Sequence, residues 1–248
     1  KALKGALIPE CTMATIVLAL GGSLLRPEVD ERHAWLEELV GIVRDRVAVD
    51  DRIGIVVGGG APAREGIALA RPIVDNEDRL DRIGIAATRL NATMVREALA
   101  DDGVMVSGTI PHSINEATML FDERPVVVMG GTTPGHTTDA VAIRLAIASG
   151  ADRCIIGTNV DRVYASDPRT DSAARSYDSL THDELQQIVG PAEHNRAGPT
   201  GVVDPMGVAD AAEARMTLCI LDGRKPSLIR SAIEGETFEG TVVESEEE

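Results

Sequence analysis

Four short runs of aliphatic, mostly β-branched residues end at glycine, and this recurrence constrains the fold more than any other feature of the chain. Thr15–Leu20 (TIVLAL) runs into Gly21, Gly22 and Ser23, and Arg52–Val57 (RIGIVV) into Gly58, Gly59 and Gly60. Residues 125–129 (PVVVM) run into Gly130, Gly131 and Thr132, and 153–157 end at Gly157 before Thr158 and Asn159. Apolar runs of this length without polar alternation belong to strands covered on both faces, as in parallel sheets. Between them the spacing predicts helices at about 29–47, 62–70, 81–100, 114–121, 138–148, 182–189, 208–214 and 227–233. In the third of these, Ile85, Leu90, Met94, Val95 and Leu99 are expected on one buried face. Further strands are expected at 104–106, 216–221 and 240–243. Strands alternating with helices predict a three-layer α/β/α sandwich with a mainly parallel central sheet.

The organisation expected along the chain is one domain over 13–243, with a first lobe to about 136 and a second from about 137. Residues 1–12 (KALKGALIPECT) read as an extension outside the fold, 196–200 (RAGPT) as a mobile loop, and 244–248 (ESEEE) as a solvated acidic tail. A hydrophobic content of 44% over 248 residues suffices for a sizeable core. No apolar run approaches the roughly 20 residues of a membrane span, and no export leader is recognisable, so a cytoplasmic protein is expected.

The charge narrows the partners. Forty acidic against 24 basic residues give a net charge of −16, which repels a nucleic-acid backbone or an anionic membrane, and five aromatic residues are too few for base stacking. Cys11, Cys154 and Cys219 have neither the number of a disulfide framework nor metal-ligand spacing. Only Lys1, Lys4 and Lys225 are lysine, and the other 21 basic residues are arginine. With the acid excess, this composition suits a halophilic protein, in which molar salt shortens the Debye length to about 3 Å and self-repulsion is screened. An ordinary acidic protein encoded by an arginine-preferring genome is the alternative.

In a parallel sheet, ligands gather at the carboxyl ends of the strands, where backbone N–H groups and helix N-termini offer positive partial charge. Glycine at any one strand end can serve the turn alone, but four such ends together point to a phosphate-rich ligand set. Neither GxxxxGK[ST] nor GxGxxG occurs, so neither a P-loop nor a dinucleotide fold is supported.

The glycine clusters, Arg64, the segments LDRIGI (80–85) and TRLNA (88–92), MGGTTPGHTTDA (129–140), TNVD (158–161) with Val163 and Tyr164, and Asp167 with Pro168 follow one another in the order and spacing of uridylate (UMP) kinases. The chain resembles the archaeal type, a branch of the amino acid kinase superfamily, from about residue 15 to 243. The resemblance implies an ATP- and Mg²⁺-dependent phosphotransferase with UMP as acceptor, a homo-oligomer and by family a hexamer, and Mg²⁺ that arrives with ATP. It implies that Gly22, Ser23, Gly60 and Arg64 meet the ATP phosphates, and that Thr158, Asn159, Tyr164 and Asp167 meet its adenosine. Gly59, Asp81, Thr132, Thr133, Pro134, Gly135, His136, Thr137 and Thr138 correspond to the acceptor site, Asp81 as the ribose ligand. On chemical grounds Asp81 could equally be a helix N-cap, Asp139 could cap its own helix, and Arg64 could be a solvated face residue. Asp139 and Asp161 are carboxylates placed to orient Mg²⁺, its waters or backbone amides.

Several positions depart from the family pattern. Ala19 stands two residues before the first Gly-Gly, where many relatives carry lysine; Ala61 and Ala209 also occupy positions where relatives can carry lysine, and Arg162 follows TNVD where glycine is common. With Lys225 the only lysine beyond residue 4, charge on a transferred phosphoryl group would fall to Mg²⁺, backbone amides, Arg64 and Arg162. Arg162 is therefore a catalytic candidate, its alternative being a surface residue paired with Asp161 or Asp167. Two other functions remain open: a related kinase with another small acceptor, and a non-catalytic nucleotide or oxyanion binder on the same fold.

Overall fold

A computed structural model describes residues 13–25, 32–168, 170–171, 173–192 and 202–246. The expected extension at 1–12 and loop at 196–200 lie outside the described residues. The strands are β1 (Thr15–Leu20), β2 (Arg52–Val57), β3 (Val126–Met129), β4 (Arg153–Thr158), β5 (Val163–Tyr164), β6 (Ser176–Tyr177), β7 (Ser179–Thr181), β8 (Leu218–Asp222) and β9 (Gly240–Glu244). The helices are α1 (Arg32–Val47), α2 (Gly60–Ala70), α3 (Glu77–Asp101), α4 (Ile114–Phe121), α5 (Thr138–Ser149), α6 (His182–Val189), α7 (Pro205–Ala214) and α8 (Pro226–Glu234). Gly22–Leu25 forms a 3₁₀ turn after β1.

Seven strands make one sheet in the order β3-β2-β1-β4-β8-β9-β7, and every pairing in it is parallel except β8 with β9. β5 and β6 form a separate antiparallel ribbon. All six residues of β1 are buried because it is central and covered on both faces. Its side chains alternate: Val17 and Ala19 join a core with Phe121 of α4, Val141 and Leu145 of α5, Leu185 of α6 and Val208 of α7. Ile16, Leu18 and Leu20 face the other core, with Trp35, Leu39 and Val43 of α1, Val95 and Leu99 of α3 and Ile229 of α8. Two cores, one on each side of a single sheet, make the three layers, and each fully buried Leu, Ile or Val contributes about 1.5–3 kcal/mol.

The structure corrects several sequence-based expectations. α3 begins at Glu77, four residues before the expected start, because the side chain of Asn76 accepts from Arg79 N and caps the helix there. Its buried face is Leu80, Thr88, Asn91, Ala92, Val95 and Leu99, whereas Leu90 and Met94 are exposed. The expected strand at 104–106 reduces to one bridge between Val106 and Val126. α7 begins at Pro205 behind an Asp204 cap, and the short strands β5, β6 and β7 were not anticipated by the apolar runs. Glu244 closes β9, so the acidic segment begins within the sheet.

Candidate active site

Because β1, β2, β3 and β4 are parallel, their carboxyl ends meet at one edge of the sheet, and the turns there are locked to one another by backbone contacts. Gly21 N donates to Gly157 O at 3.0 Å, and Gly58 N to Leu20 O at 2.8 Å. A Cβ on Gly22 would run into the Gly60 amide nitrogen and would lie 2.5 Å from Gly58 O; one on Gly58 would lie 2.6 Å from Gly22 N. Gly60, at φ +60°, opens α2 in the left-handed region that glycine adopts without strain. The first two glycine clusters thus form one interlocked platform, Gly22 and Gly58 buried and Gly21, Gly59 and Gly60 half-buried, at which backbone amides can approach phosphate oxygens.

α3 holds this platform with two buried polar side chains. Asn91 Nδ2 donates to Gly58 O at 2.7 Å and Gly59 O at 3.1 Å. Thr88 Oγ1 accepts from Gly131 N at 2.7 Å and donates to Ile85 O at 2.6 Å. One helix therefore fastens the turns after β2 and β3. Both residues lie in the TRLNA segment, yet a search for apolar faces passes over them because they are polar.

Near the end of β3, Asp81 sits inside α3 and is not its N-cap, which overturns that alternative. Its Oδ2 accepts from Gly135 N, in the loop after β3, at 2.8 Å, and Oδ1 has no hydrogen-bond partner among the described residues. α5 is capped by Thr137, whose side chain accepts from Ala140 N, so Asp139 stands in the first turn and does not cap the helix. Thr132, Thr133 and His136 line a cavity of about 260 Å³ between the loop after β3, the start of α4 and α5. Arg64 is exposed on α2, without an ion-pair partner among the described residues.

On the other side, Thr158 ends β4, and its carbonyl accepts from Gly223 N at 2.8 Å. Trp35 Nε1 donates to Gly223 O at 2.7 Å, tying α1 to the end of β8. The Tyr164 hydroxyl donates to Asp161, 2.9 Å from Oδ1 and 3.0 Å from Oδ2; this bond, with burial second, pushes the phenol above its usual value. Arg162 pairs with Asp178, lies 3.5 Å from Asp161 and 3.6 Å from Glu239, and Glu239 also meets Lys225 at 3.3 Å. Asn159 is exposed, and Asp167 is half-buried.

Asp139 is held differently from these paired carboxylates. Burial, and secondly the negative charge of Asp204, push it up to about 7, and it forms no hydrogen bond or ion pair among the described residues. Asp204 caps α7, Oδ1 accepting from Met206 N at 2.9 Å and Gly207 N at 3.1 Å. Two neighbouring carboxylates at the edge of the buried sheet favour a cation or a protonated form. The Asp-Pro pair at 204–205 is a helix-start signal from which Asp204 could have been found. Among the described residues no group of three or more His, Cys, Asp or Glu side chains is arranged to hold a metal ion alone.

A three-layer fold with glycine turns gathered at one edge of a parallel sheet defines a class, and the comparisons agree: the model of the amino acid kinase family matches residues 14–222, and the chain belongs to that family. Within it, the chain is similar to the uridylate kinase of Methanospirillum hungatei, 39% identical over 231 residues covering 93% of this chain and 95% of the relative. It is 36% identical to that of Methanococcus vannielii, over 92% of this chain and 98% of the relative. The crystal structure of the uridylate kinase from Archaeoglobus fulgidus superposes with a TM-score of 0.79 at 38% identity, covering 92% of this chain and 99% of that one. The UMP kinase of Bacillus anthracis, at 22% identity and a TM-score of 0.74 over 94% and 96%, shares the fold.

Proposed function

We propose that this chain transfers the γ-phosphoryl group of ATP to UMP, giving ADP and UDP. A phosphate oxygen of UMP attacks the γ-phosphorus in line, and the bond from that phosphorus to the β–γ bridging oxygen breaks as ADP leaves. The observation that carries this reading is the interlocked Gly22–Gly58–Gly60 platform, with Asp81 and its partner loop on one side and the β4 end on the other. Such a site contributes positioning and electrostatics, which is what phosphoryl transfer needs.

Gly22, Ser23 and Gly60 present backbone amides to the ATP phosphates, with Arg64 as the uncommitted cation beside them. Gly59, Asp81 and the residues Thr132 to Thr138 hold UMP; Asp81 keeps Oδ1 for ribose hydroxyls while Oδ2 fastens the acceptor loop. Thr158, Asn159, Tyr164 and Asp167 receive adenosine. Arg162, engaged by Asp161, Asp178 and Glu239, enters as a residue that positions this ATP-side loop. Bound with ATP, Mg²⁺ would screen the triphosphate charge, and Asp139, Asp161 and Asp204 are the carboxylates suited to its water shell. Exposed Leu69 in the last turn of α2 and Ile73 just beyond it, with Leu90 and Met94 on α3, support assembly into a homo-oligomer, a hexamer by family, in a salt-rich cytoplasm.

The test is UDP formation by the purified chain with ATP, Mg²⁺ and UMP across KCl concentrations up to molar. Asp81→Asn should raise KM for UMP by a factor of order ten to a hundred, equivalent to about 1.5–3 kcal/mol for a charged hydrogen bond, with little change in KM for ATP. Absence of UDP at every KCl concentration, with nucleotides still bound, would support the non-catalytic binder instead.

A further inference from the structure

α5 reads TDAVAIRLAIAS, and after its first turn Arg144 is its only charged residue. Its side chain is 27% exposed and is held from two sides. Nε donates to Asp210 Oδ2 on α7 at 2.6 Å, and Nη1 lies 3.2 Å from His136 Nδ1 in the acceptor loop. A guanidinium only donates, so in this contact Nδ1 is the acceptor. Arg144 also lines the cavity of about 260 Å³ with Thr132, Thr133, His136 and, from the start of α4, Ser113 and Asn115. With Nε and Nη1 committed, Nη2 has no partner among the described residues.

We infer that Arg144 is a specificity-determining residue, which donates to the C4 carbonyl of the acceptor's base, where cytosine bears an amino group, and so favours uracil over cytosine. The inference rests on the UMP reading above. A base edge that bears a carbonyl satisfies the guanidinium, whereas an exocyclic amino group in the same place brings donor against donor and leaves both unpaired, the asymmetry from which binding sites draw their largest discrimination. Asp210 fixes the direction of the fork by binding Nε, and His136 couples that direction to the loop that wraps the acceptor.

UMP and CMP binding to the full chain is measured by equilibrium dialysis without ATP, beside kcat and KM with each acceptor. UDP formation by the parent is established first, so a failure of the UMP reading appears there and is distinct from a failure of this inference. Arg144→Met should lower the UMP-to-CMP preference at least tenfold, in binding and in kcat/KM, through KM for the acceptor and not KM for ATP. Arg144→Lys should recover part of the preference. Asp210→Asn, which loosens the fork without removing it, should lower the preference about threefold and serves as the deciding variant if Arg144→Met does not fold. A preference equal to the parent's in the folded variants overturns the inference, as does an equal loss for UMP and CMP.

Discussion

Replacing Asp139 by Asn should stabilise the protein at alkaline pH and leave it nearly unchanged in acid. The carboxyl is pushed from 3.8 up to about 7, first by burial and then by Asp204. A group with a raised folded pKa stabilises the fold fully below its unfolded value, and that contribution is lost as pH rises through the folded value, here the window from about 4 to 7. At about 1.36 kcal/mol per pKa unit the whole shift corresponds to ~4 kcal/mol. Asp139 is half-buried and keeps some contact with water, so about 2 kcal/mol is the working figure. Asn has nearly the same shape and no charge, so at pH 8 the variant should melt roughly 4–8 °C higher, at about 2–4 °C per kcal/mol for a chain of this length. The two melting points should draw together as pH falls, the difference narrowing by pH 4.5 and closing only below the unfolded value of 3.8. Thermal melts of parent and variant at constant molar KCl between pH 4.5 and 8 make the comparison, and the difference between the curves cancels the titration of the other carboxylates. The same change should lower kcat, as the role proposed for Asp139 beside the Mg²⁺ water shell requires. A variant that is less stable by the same amount at both pH values would refute the reasoning.

Gly22→Ala should destabilise the fold by at least about 1–3 kcal/mol, because the new methyl meets backbone atoms of Gly58 and Gly60 that cannot yield cheaply; an unfolding free energy from denaturant titration within about 0.5 kcal/mol of the parent's, the size of an ordinary surface effect, would show the platform to be loose. Arg162→Gly should raise KM for ATP while costing no more than about 1 kcal/mol of stability, since its carboxylate partners are solvent-accessible. A fall in kcat of more than about tenfold with KM for ATP unchanged would place the guanidinium on the transferred phosphoryl group instead. Melting temperature should rise with KCl from low to molar concentration as self-repulsion of the −16 chain is screened, and a flat or falling series would count against the salt adaptation.

The parts of the fold legible in the sequence were those whose signal is local. β1 and β2 stand where their aliphatic runs stand, and α4 and α6 occupy the expected residues because Ser113 and Thr181 cap them one position earlier. Lost to the reading were elements defined by partners far along the chain: β5 and β6 have two residues each and exist only through their mutual pairing. The α3 face is harder for a different reason. Thr88 and Asn91 are buried because they bond to peptide groups of two other turns, and counting apolar residues alone draws the face toward Leu90 and Met94. At the candidate site the glycine strand ends were visible as composition. Their contacts, the Asp81–Gly135 bond and the Asp139–Asp204 proximity depend on the packed sheet and were not.

The indole of Trp35 is the chain's single tryptophan, and its N–H is bonded to Gly223 O beside the end of β4, where adenosine is proposed to lie. Gly223 in turn abuts Leu24 of the turn after β1 and the backbone of Gly157, so both strand ends that flank the ATP half press on the same peptide. The protein thus carries an intrinsic fluorophore at the seam of its proposed nucleotide site. Its emission is read against a background of only two tyrosines, and nucleotide entering the proposed ATP half should shift it without any label.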